Sequence, residues 1–356
     1  FMLRAGLSPS EIFLVIAAIL VLRFFVRTAV PGFVQRIGLR NALILGSLLS
    51  GVEFLILASF DGSSVRLFAF VVADALCSAL YWTCYHALYA ALGDPEARGA
   101  QVGARGLLST IATVAAPAVG GVLLVAFGPW ASFGAAAVTS VAAVVPLLSI
   151  REPIVLSAPP IGAFRAVREG ILLFATDGFV TSISAFAWEI ISFVSFGERY
   201  DVFGGVLAVA SLAGALAGMA FGRFIDTGHG ARAVWINAAA ITILLLLKAA
   251  CVGSAPAIAV ASIIANLLGG LYLPVLMTAV YNDGKRAACT LRFHVMAEAG
   301  WDVGGTIACV CAAIAWAGGV RPAAILLFAV VGVLPQTWLA LRRYREHAIA
   351  QAALTS

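Results

Sequence analysis

The sequence predicts an all-α membrane protein that crosses the bilayer many times. Of its 356 residues, 62% are apolar and 11% are charged, and the mean hydropathy is +1.05. A soluble domain of this size carries about 25% charged residues. The apolar runs are continuous rather than alternating, which indicates spanning helices and not the strands of a membrane barrel. This composition excludes a soluble enzyme, a disordered chain and a nucleic-acid-binding protein.

Eleven apolar runs are long enough to cross a bilayer as helices. The predicted spans are 12–34, 41–60, 66–92, 102–126, 130–149, 168–197, 203–225, 233–252, 256–282, 288–316 and 321–341. Turn-forming residues separate them, among them Asp61-Gly62-Ser63-Ser64, Gly128-Pro129, Asp226-Thr227-Gly228-His229-Gly230 and Asn282-Asp283-Gly284. Within the run 256–282 we predict a bend near Pro274, with tight helix packing as the alternative.

The placement of Lys and Arg predicts the orientation. With loop 35–40 in the cytoplasm, 15 basic residues fall on the cytoplasmic side, 4 fall on the other side and 3 lie inside spans. Such an excess is typical of cytoplasmic loops. We therefore expect a multi-pass protein of the inner (plasma) membrane with a cytoplasmic C-terminus. The same bias explains the net charge of +5 without an anionic partner.

Two loops of the chain are alike, which indicates an internal repeat. One runs from Pro31 to Arg40 and the other from Gly222 to Arg232, and Gln35 lies 191 residues before Asp226. Duplicated halves are common among transporters. The predicted domains are an N-terminal helical bundle over 1–150, a cytoplasmic linker over 151–164, a C-terminal bundle over 165–345 and a cytoplasmic tail over 346–356.

These loops resemble the signature that follows the second helix of each half in the major facilitator superfamily. That signature is a glycine, three residues, an aspartate, a basic residue, and then a glycine and a basic residue. The second loop keeps Gly222, Asp226 and Arg232, and the first keeps Arg36, Gly38 and Arg40. The first loop has Pro31 and Gln35 where the family has glycine and aspartate. The resemblance implies a gating role for the loops, with Gly38, Arg40, Gly222, Asp226 and Arg232 as its residues.

A further segment, Ala116 to Gly121, is similar to the Gly-Pro-x-x-Gly-Gly element of proton-coupled exporters in that family. Pro117, Gly120 and Gly121 match this element, and Ala116 replaces its first glycine. The resemblance implies two pseudo-symmetric bundles of twelve helices in all, so the eleven spans become family helices 2–12. We expect a first helix before Phe1. The resemblance also implies alternating access around a cavity lined by family helices 1, 4, 7 and 10.

Polar side chains line one face of two of these predicted helices. Family helix 7 carries Asp177, Thr181, Ser184, Trp188, Ser192 and Ser195, and family helix 4 carries Asp74, Ser78, Tyr81, Tyr85 and Tyr89, at spacings of three or four residues. Because a desolvated carboxyl favours its neutral form, Asp177 and Asp74 are the proton-coupling candidates. The cavity-lining candidates are Tyr81, Tyr85, Thr181, Ser184, Trp188 and Asn266. The alternative is helix packing through hydrogen bonds and aromatic contacts.

Charges on family helices 2 and 11 suggest an inter-bundle gate. Arg23 and Arg27 are one turn apart, and His294, Glu298 and Asp302 follow one another along the second helix. At 1.5 Å per residue, antiparallel helices bring Arg23 level with Asp302 and Arg27 level with Glu298. We predict these two pairs. The alternative is a basic patch that binds an anionic substrate. We rank His86 and Glu189 second, assign Glu53 to packing, and expect Lys248 to reach the membrane surface.

The sequence therefore predicts a secondary active transporter that moves a small organic solute by alternating access, proton-coupled and exporting. The alternatives are an organic-anion uptake permease and a non-transporting membrane sensor or scaffold. We expect no enzyme activity, no cofactor and no metal, because the six cysteines form no Cys-x-x-Cys pair and the four histidines are scattered. The expected partners are a small-molecule substrate, protons and the bilayer, with the chain as a monomer.

Overall fold

The computed structural model describes residues 1–93, 96–152 and 163–355, so residues 153–162 of the predicted linker lie outside the described part. The described chain is helical, as predicted. Its α-helices are α1 (Pro9–Arg27), α2 (Val30–Ile37), α3 (Leu39–Ala58), α4 (Ser64–Leu92), α5 (Arg98–Phe127), α6 (Pro129–Ala142), α7 (Val144–Leu147), α8 (Ala163–Thr181), α9 (Trp188–Ser195), α10 (Tyr200–Phe224), α11 (Gly230–Cys251), α12 (Ala255–Gly269), α13 (Tyr272–Arg286), α14 (Thr290–Ala317), α15 (Pro322–Leu327) and α16 (Val330–Thr355). A π turn, Ser182–Ala187, joins α8 to α9, and the segment Ile225–His229, which is kinked at Thr227 and Gly228, joins α10 to α11.

Nine helical segments among the described residues are long and apolar enough to cross a membrane. They are Pro9–Arg27, Leu39–Ala58, Ser64–Leu92, Pro129–Leu147, Gly170–Ser195, Ala220–Cys251, Ala255–Arg286, Thr290–Ala317 and Pro322–His347. Two shorter apolar segments, Val114–Phe127 and Tyr200–Leu212, each overlap part of a predicted span, 102–126 and 203–225. The count of eleven spans therefore stays a prediction.

Local sequence explains where α1 and α3 begin. The Ser8 side chain accepts a hydrogen bond from the Glu11 backbone, and the Glu11 side chain bonds back to the Ser8 backbone. Pro9 occupies the first turn, where its missing N–H costs nothing. Gly38 precedes α3 with a φ of 91°, a backbone conformation that favours glycine.

Several predicted boundaries differ from the structure. The run 12–34 is divided between α1 and α2, and the run 321–341 is divided between α15 and α16. The run 256–282 is divided into α12 and α13 at Gly270, because the ring of Pro274 clashes with the carbonyl four residues before it. The turn predicted at 282–284 is helical, and α13 continues to Arg286. Asp283 is used in tertiary contacts instead of a turn, since its carboxylate binds Arg343 Nε at 2.7 Å and His347 Nε2 at 2.6 Å.

The first compact unit comprises Phe1–Leu92, Val119–Ser182 and Gly284–Val320. Within it, α14 packs against α8, α1 and α4, and α3 packs against α4 and α6. Its apolar core includes the buried side chains of Leu39, Leu43, Cys84 and Leu291.

The second compact unit comprises Gly93–Ala118, Ile183–Asp283 and Arg321–Ser356. Within it, α12 packs against α10 and α11, and α11 also packs against α16. Hydrogen bonds add to this packing, since Tyr344 Oη donates to the Val275 carbonyl at 2.8 Å. The division into bundles 1–150 and 165–345 stays a prediction.

Candidate functional site

Two arginines of α1 and two acids of α14 form a buried network of ion pairs. Arg23 Nε donates to Asp302 Oδ1 at 2.5 Å, and Arg27 Nε donates to Asp302 Oδ2 at 2.6 Å. Arg27 Nη2 donates to Glu298 Oε2 at 2.9 Å. The structure contains both predicted pairs, and it adds a third because the two arginines share Asp302.

Helix α4 supplies further partners to this network. Thr83 Oγ1 accepts a hydrogen bond from Arg27 Nη1, and His86 Nε2 lies 3.2 Å from Glu298 Oε1. The rings of His86 and His294 stack with their centroids 5.9 Å apart. The predicted residue His294 therefore meets the network through His86.

Helical spacing explains why these side chains converge. The paired residues on α1 and on α14 are four positions apart, and the two on α4 are three apart, so each pair lies on one face of its helix. All of them belong to the first unit, in which α14 packs against both α1 and α4.

The network is electrically balanced and shielded from solvent. Arg27 is 1% exposed and Asp302 is 0% exposed. Two guanidinium groups face two carboxylates, so their formal charges cancel when His86 is neutral. Buried charges are tolerated when they are paired and hydrogen-bonded, and charges inside membrane spans usually serve function. A proton added to Glu298 would weaken its ion pair with Arg27.

Asp74 lies within reach of the same network. The positive charge of Arg23 attracts its carboxylate. Ligand atoms of Asp74, Glu53 and Cys77 all lie within 4.8 Å of one another, and Cys77 Sγ donates to Glu53 Oε2 at 3.0 Å. By distance this is a group of three that could hold a metal ion, although the sequence predicted no metal site and assigned Glu53 to packing.

Asp177 is buried in α8, where it accepts a hydrogen bond from Thr181 Oγ1 at 3.0 Å. Of the other residues on the predicted stripe, Ser184 lies inside the π turn Ser182–Ala187, and Trp188 comes directly after it. A π turn adds one residue to a helical turn and so rotates the helix that comes after it. The six residues of the stripe therefore do not share one continuous α-helical face.

The remaining cavity-lining candidates make close local contacts. Tyr81 and Tyr85 stack with their ring centroids 5.8 Å apart. Asn266 Nδ2 donates to the Ser262 carbonyl of its own helix at 3.0 Å, and Trp188 Nε1 donates to Ser262 Oγ at 3.1 Å. Their role around a substrate cavity stays a prediction.

A carboxylate binds the first loop of the repeat. Glu152 accepts hydrogen bonds from the backbone N–H groups of Leu39 and Arg40 at the start of α3. A Cβ at Gly38 would lie 2.8 Å from the Glu152 carboxyl carbon, so glycine is needed there for space as well as for φ. Arg40 Nη1 donates to the Ile150 carbonyl at 3.0 Å.

The second loop also uses a carboxylate. Asp226 Oδ2 accepts a hydrogen bond from the Ala100 backbone N–H at 2.5 Å, in the first turn of α5. A negative charge is favourable at a helix N-terminus. Gly222 is buried, and Arg232 is exposed. A gating role for either loop stays a prediction.

The motif in α5 lies in a tightly packed stretch of helix. A Cβ at Gly204 would overlap the carbonyl oxygen of Pro117, and the Gly120 carbonyl accepts a hydrogen bond from Ser132 Oγ at 3.1 Å. Gly121 is buried. The residues of this motif therefore take part in close helix contacts.

Comparison with known proteins gives the family. A sequence profile of the Major Facilitator Superfamily matches residues 1–282. The chain belongs to the major facilitator superfamily. This family member is therefore a secondary membrane transporter, which sets aside the sensor or scaffold alternative.

A solved structure shows the same fold. The crystal structure of the human organic anion transporter MFSD10 (TETRAN) matches this superfamily member with a TM-score of 0.65 and 16% sequence identity. The match covers 92% of this chain and 83% of the human one. A search of curated proteins gave no match.

Sequence reasoning missed several residues that this transporter places together. Thr83 was not considered, and His86 was ranked second, because both lie off the Asp74–Tyr89 stripe of α4. Their spacing of three residues was the signal that could have found them. Glu152 was missed because it lies far from the loop in sequence, and Lys248 was expected at the membrane surface.

Proposed function

We propose that this transporter moves a small organic solute by alternating access in exchange for protons, with export as the direction. The observation that supports coupling is the buried network of Arg23, Arg27, Glu298 and Asp302 inside membrane spans. The proposal of export rests on the motif at Pro117, Gly120 and Gly121.

The network links protonation to ion pairing. With both acids ionised, each arginine has a carboxylate partner. A proton that arrives at Glu298, for which His86 is a neighbour at 3.2 Å, leaves Arg27 bound to Asp302 and Thr83 alone. The charge of the network then changes from neutral to positive, and a changed charge inside a membrane favours a different arrangement.

Asp177 and Asp74 remain proton-carrying candidates in this proposal. Asp177 is buried beside the Thr181 hydroxyl, and Asp74 is close to both Arg23 and Glu53. The candidate proton sites are therefore Glu298, Asp177 and Asp74, and substitution of each acid in turn shows which of them carries the proton.

A second candidate function is uptake of an organic anion. Arg23 and Arg27 are its support, since protonation of their carboxylate partners would leave two guanidinium groups able to bind a carboxylate or phosphate group. The structurally similar human protein is named an organic anion transporter, which agrees with this candidate.

The test is proton movement in proteoliposomes that contain a pH-sensitive dye. Benzoate and tetraphenylphosphonium serve as anionic and cationic probes within a broad compound panel. We expect a compound-dependent proton flux in the wild type that is lost in Glu298→Gln, Asp177→Asn or Asp74→Asn. Asp61→Asn is the matched control, because hydrogen bonds from Ser63 hold the pKa of this exposed loop acid below its usual range.

The direction of the proton flux separates the two candidates. Exchange moves protons against the direction of the compound, and anion uptake with protons moves both in the same direction. Transport of a compound without any proton flux would contradict coupling. Retention of full flux in all three acid variants would contradict the proposed proton sites.

A further inference from the structure

The π turn between α8 and α9 is contacted by a side chain of another helix, and the proposed function does not use this contact. This π turn, Ser182–Ala187, lies inside the span Gly170–Ser195. It also lies where the chain passes from the first unit, which ends at Ser182, to the second, which begins at Ile183. A π turn carries one residue more than an α turn, and it often marks a functional site.

The rotation that this turn introduces is large. One inserted residue turns the following helix by roughly 100° about its axis, because an α-helix has about 3.6 residues per turn. Asp177 and Thr181 precede the turn, and Trp188 and Ser192 come after it. The form of this turn therefore decides which way the side chains that follow it, Trp188 and Ser192 among them, point from the axis of α9.

Lys248 of α11 reaches this turn. Its Nζ donates to the Ser184 carbonyl at 2.8 Å and lies 5.3 Å from the centroid of the Trp188 ring. The carboxylate of Glu189, which follows Trp188 in the chain, attracts the same ammonium group. Lys248 is 7% exposed, so its side chain is not extended toward the membrane surface as the sequence suggested.

These contacts depend on the form of the turn. An ammonium group buried in a span is costly unless polar partners surround it. Besides the carboxylate of Glu189, Lys248 contacts a carbonyl inside the π turn and an aromatic ring directly after it. If the turn reverted to the α form, the Trp188 ring would rotate away from the Lys248 ammonium group, which is bonded to the Ser184 carbonyl.

We propose that Lys248 is a positioning residue of this transporter: its ammonium group holds the Ser182–Ala187 turn in the π form and thereby fixes the position of Trp188 directly after it. Glu189 balances the charge of Lys248.

The chain offers a direct test on the unaltered protein, because its two lysines are Lys248 and Lys285. Lys285 is exposed at the end of α13. In purified full-length protein, reductive methylation with labelled formaldehyde should modify Lys285 faster than Lys248 by roughly tenfold or more. Equal rates would place the Lys248 amine at the surface and would overturn the proposal.

Amide hydrogen exchange of three variants tests whether Lys248 holds the turn. In Lys248→Met we expect exchange of the amides in 182–190 to rise roughly tenfold, because the turn loses its support. Lys285→Met is the matched control and should exchange as the wild type does. Lys248→Arg should restore slow exchange, since a guanidinium group can also donate to the Ser184 carbonyl.

A deletion distinguishes the effect of Lys248 on the turn from a general effect on helix packing. Removal of Ala185 shortens the turn to α-helical length, so Lys248→Met added to that deletion should cause no further rise in exchange. A further rise would overturn the proposal, and so would unchanged exchange in Lys248→Met alone. If Lys248→Met does not fold, the methylation rates and exchange in Lys248→Arg still decide: fast exchange at 182–190 in the arginine variant would also overturn it.

Discussion

Asp302 is the residue on which the buried network depends most, because it accepts hydrogen bonds from both Arg23 and Arg27. Glu298 contributes less to the network, since among the described residues its ion pairs are with Arg27 and His86. Removal of one partner from a buried ion pair leaves an uncompensated charge, which costs more than the pair itself contributes.

Asp302→Asn should therefore destabilise the protein by about 3–5 kcal/mol, because two buried guanidinium groups then face one carboxylate. Glu298→Gln should cost less, because Arg27 keeps both Asp302 and Thr83. The measurement is thermal unfolding of the purified protein in detergent, followed by intrinsic fluorescence. Equal melting temperatures for the two variants would show that Asp302 is not shared in solution.

The sequence predicted which charges pair, but it did not predict that one acid serves both arginines. Depth in the bilayer follows from 1.5 Å per residue, and this put Arg23 level with Asp302 and Arg27 level with Glu298. The rotation of each helix about its axis does not follow from depth. For that reason the hydrogen bond to Thr83 and the contact with His86 were not predicted.

At the scale of helices, small residues set the distance between α14 and α8. A Cβ at Gly304 would overlap the backbone carbonyl of Ala175, and one at Gly300 would overlap that of Ile171. Small residues let helix backbones approach closely within membranes. The same helix carries Asp302 two residues before Gly304, so this packing also positions the network.

Gly304→Ala should destabilise the protein by about 1–3 kcal/mol, because the added methyl group has no space and α14 or α8 must shift. Gly134→Ala in α6 is the matched control, since its Cβ meets nothing within 4 Å and alanine favours a helix. Thermal unfolding of the two variants measures the difference. A Gly304→Ala protein as stable as Gly134→Ala would contradict the close approach of α14 and α8.

Hydropathy located the helices well and their irregularities poorly. The span 168–197 reads as one continuous helix because an extra residue in a turn does not change apolar content, so the π turn was invisible. Pro274 did predict a bend, since its effect on the carbonyl four residues earlier is local and steric. The bend was therefore predictable from Pro274 itself. The π turn was not, because the contact that holds it comes from Lys248 in another helix.

At the scale of the whole chain, the two similar loops are each associated with a carboxylate that binds a helix N-terminus, but the acids come from different places in the sequence. In the second loop Asp226 binds the first turn of α5. The first loop has Gln35 at the corresponding place, and Glu152 supplies the carboxylate to the start of α3. A pattern search along the loop finds the first solution and not the second, because Glu152 is 112 residues from Arg40.

The uneven distribution of basic residues gives the last prediction, which concerns orientation. Fifteen basic residues lie on one predicted side and four on the other. This excess predicts that loop 226–232 and the C-terminus are cytoplasmic and that loop 61–64 is outside. Ser64 and Thr227 are both exposed. In intact cells, Ser64→Cys should react with a membrane-impermeant maleimide and Thr227→Cys should not, with native-cysteine labelling subtracted. In inverted vesicles the two reactivities should exchange, because the other membrane face is then outside. The opposite pattern would place the C-terminus outside and would reverse the direction assigned to every proton and solute flux measured in such vesicles.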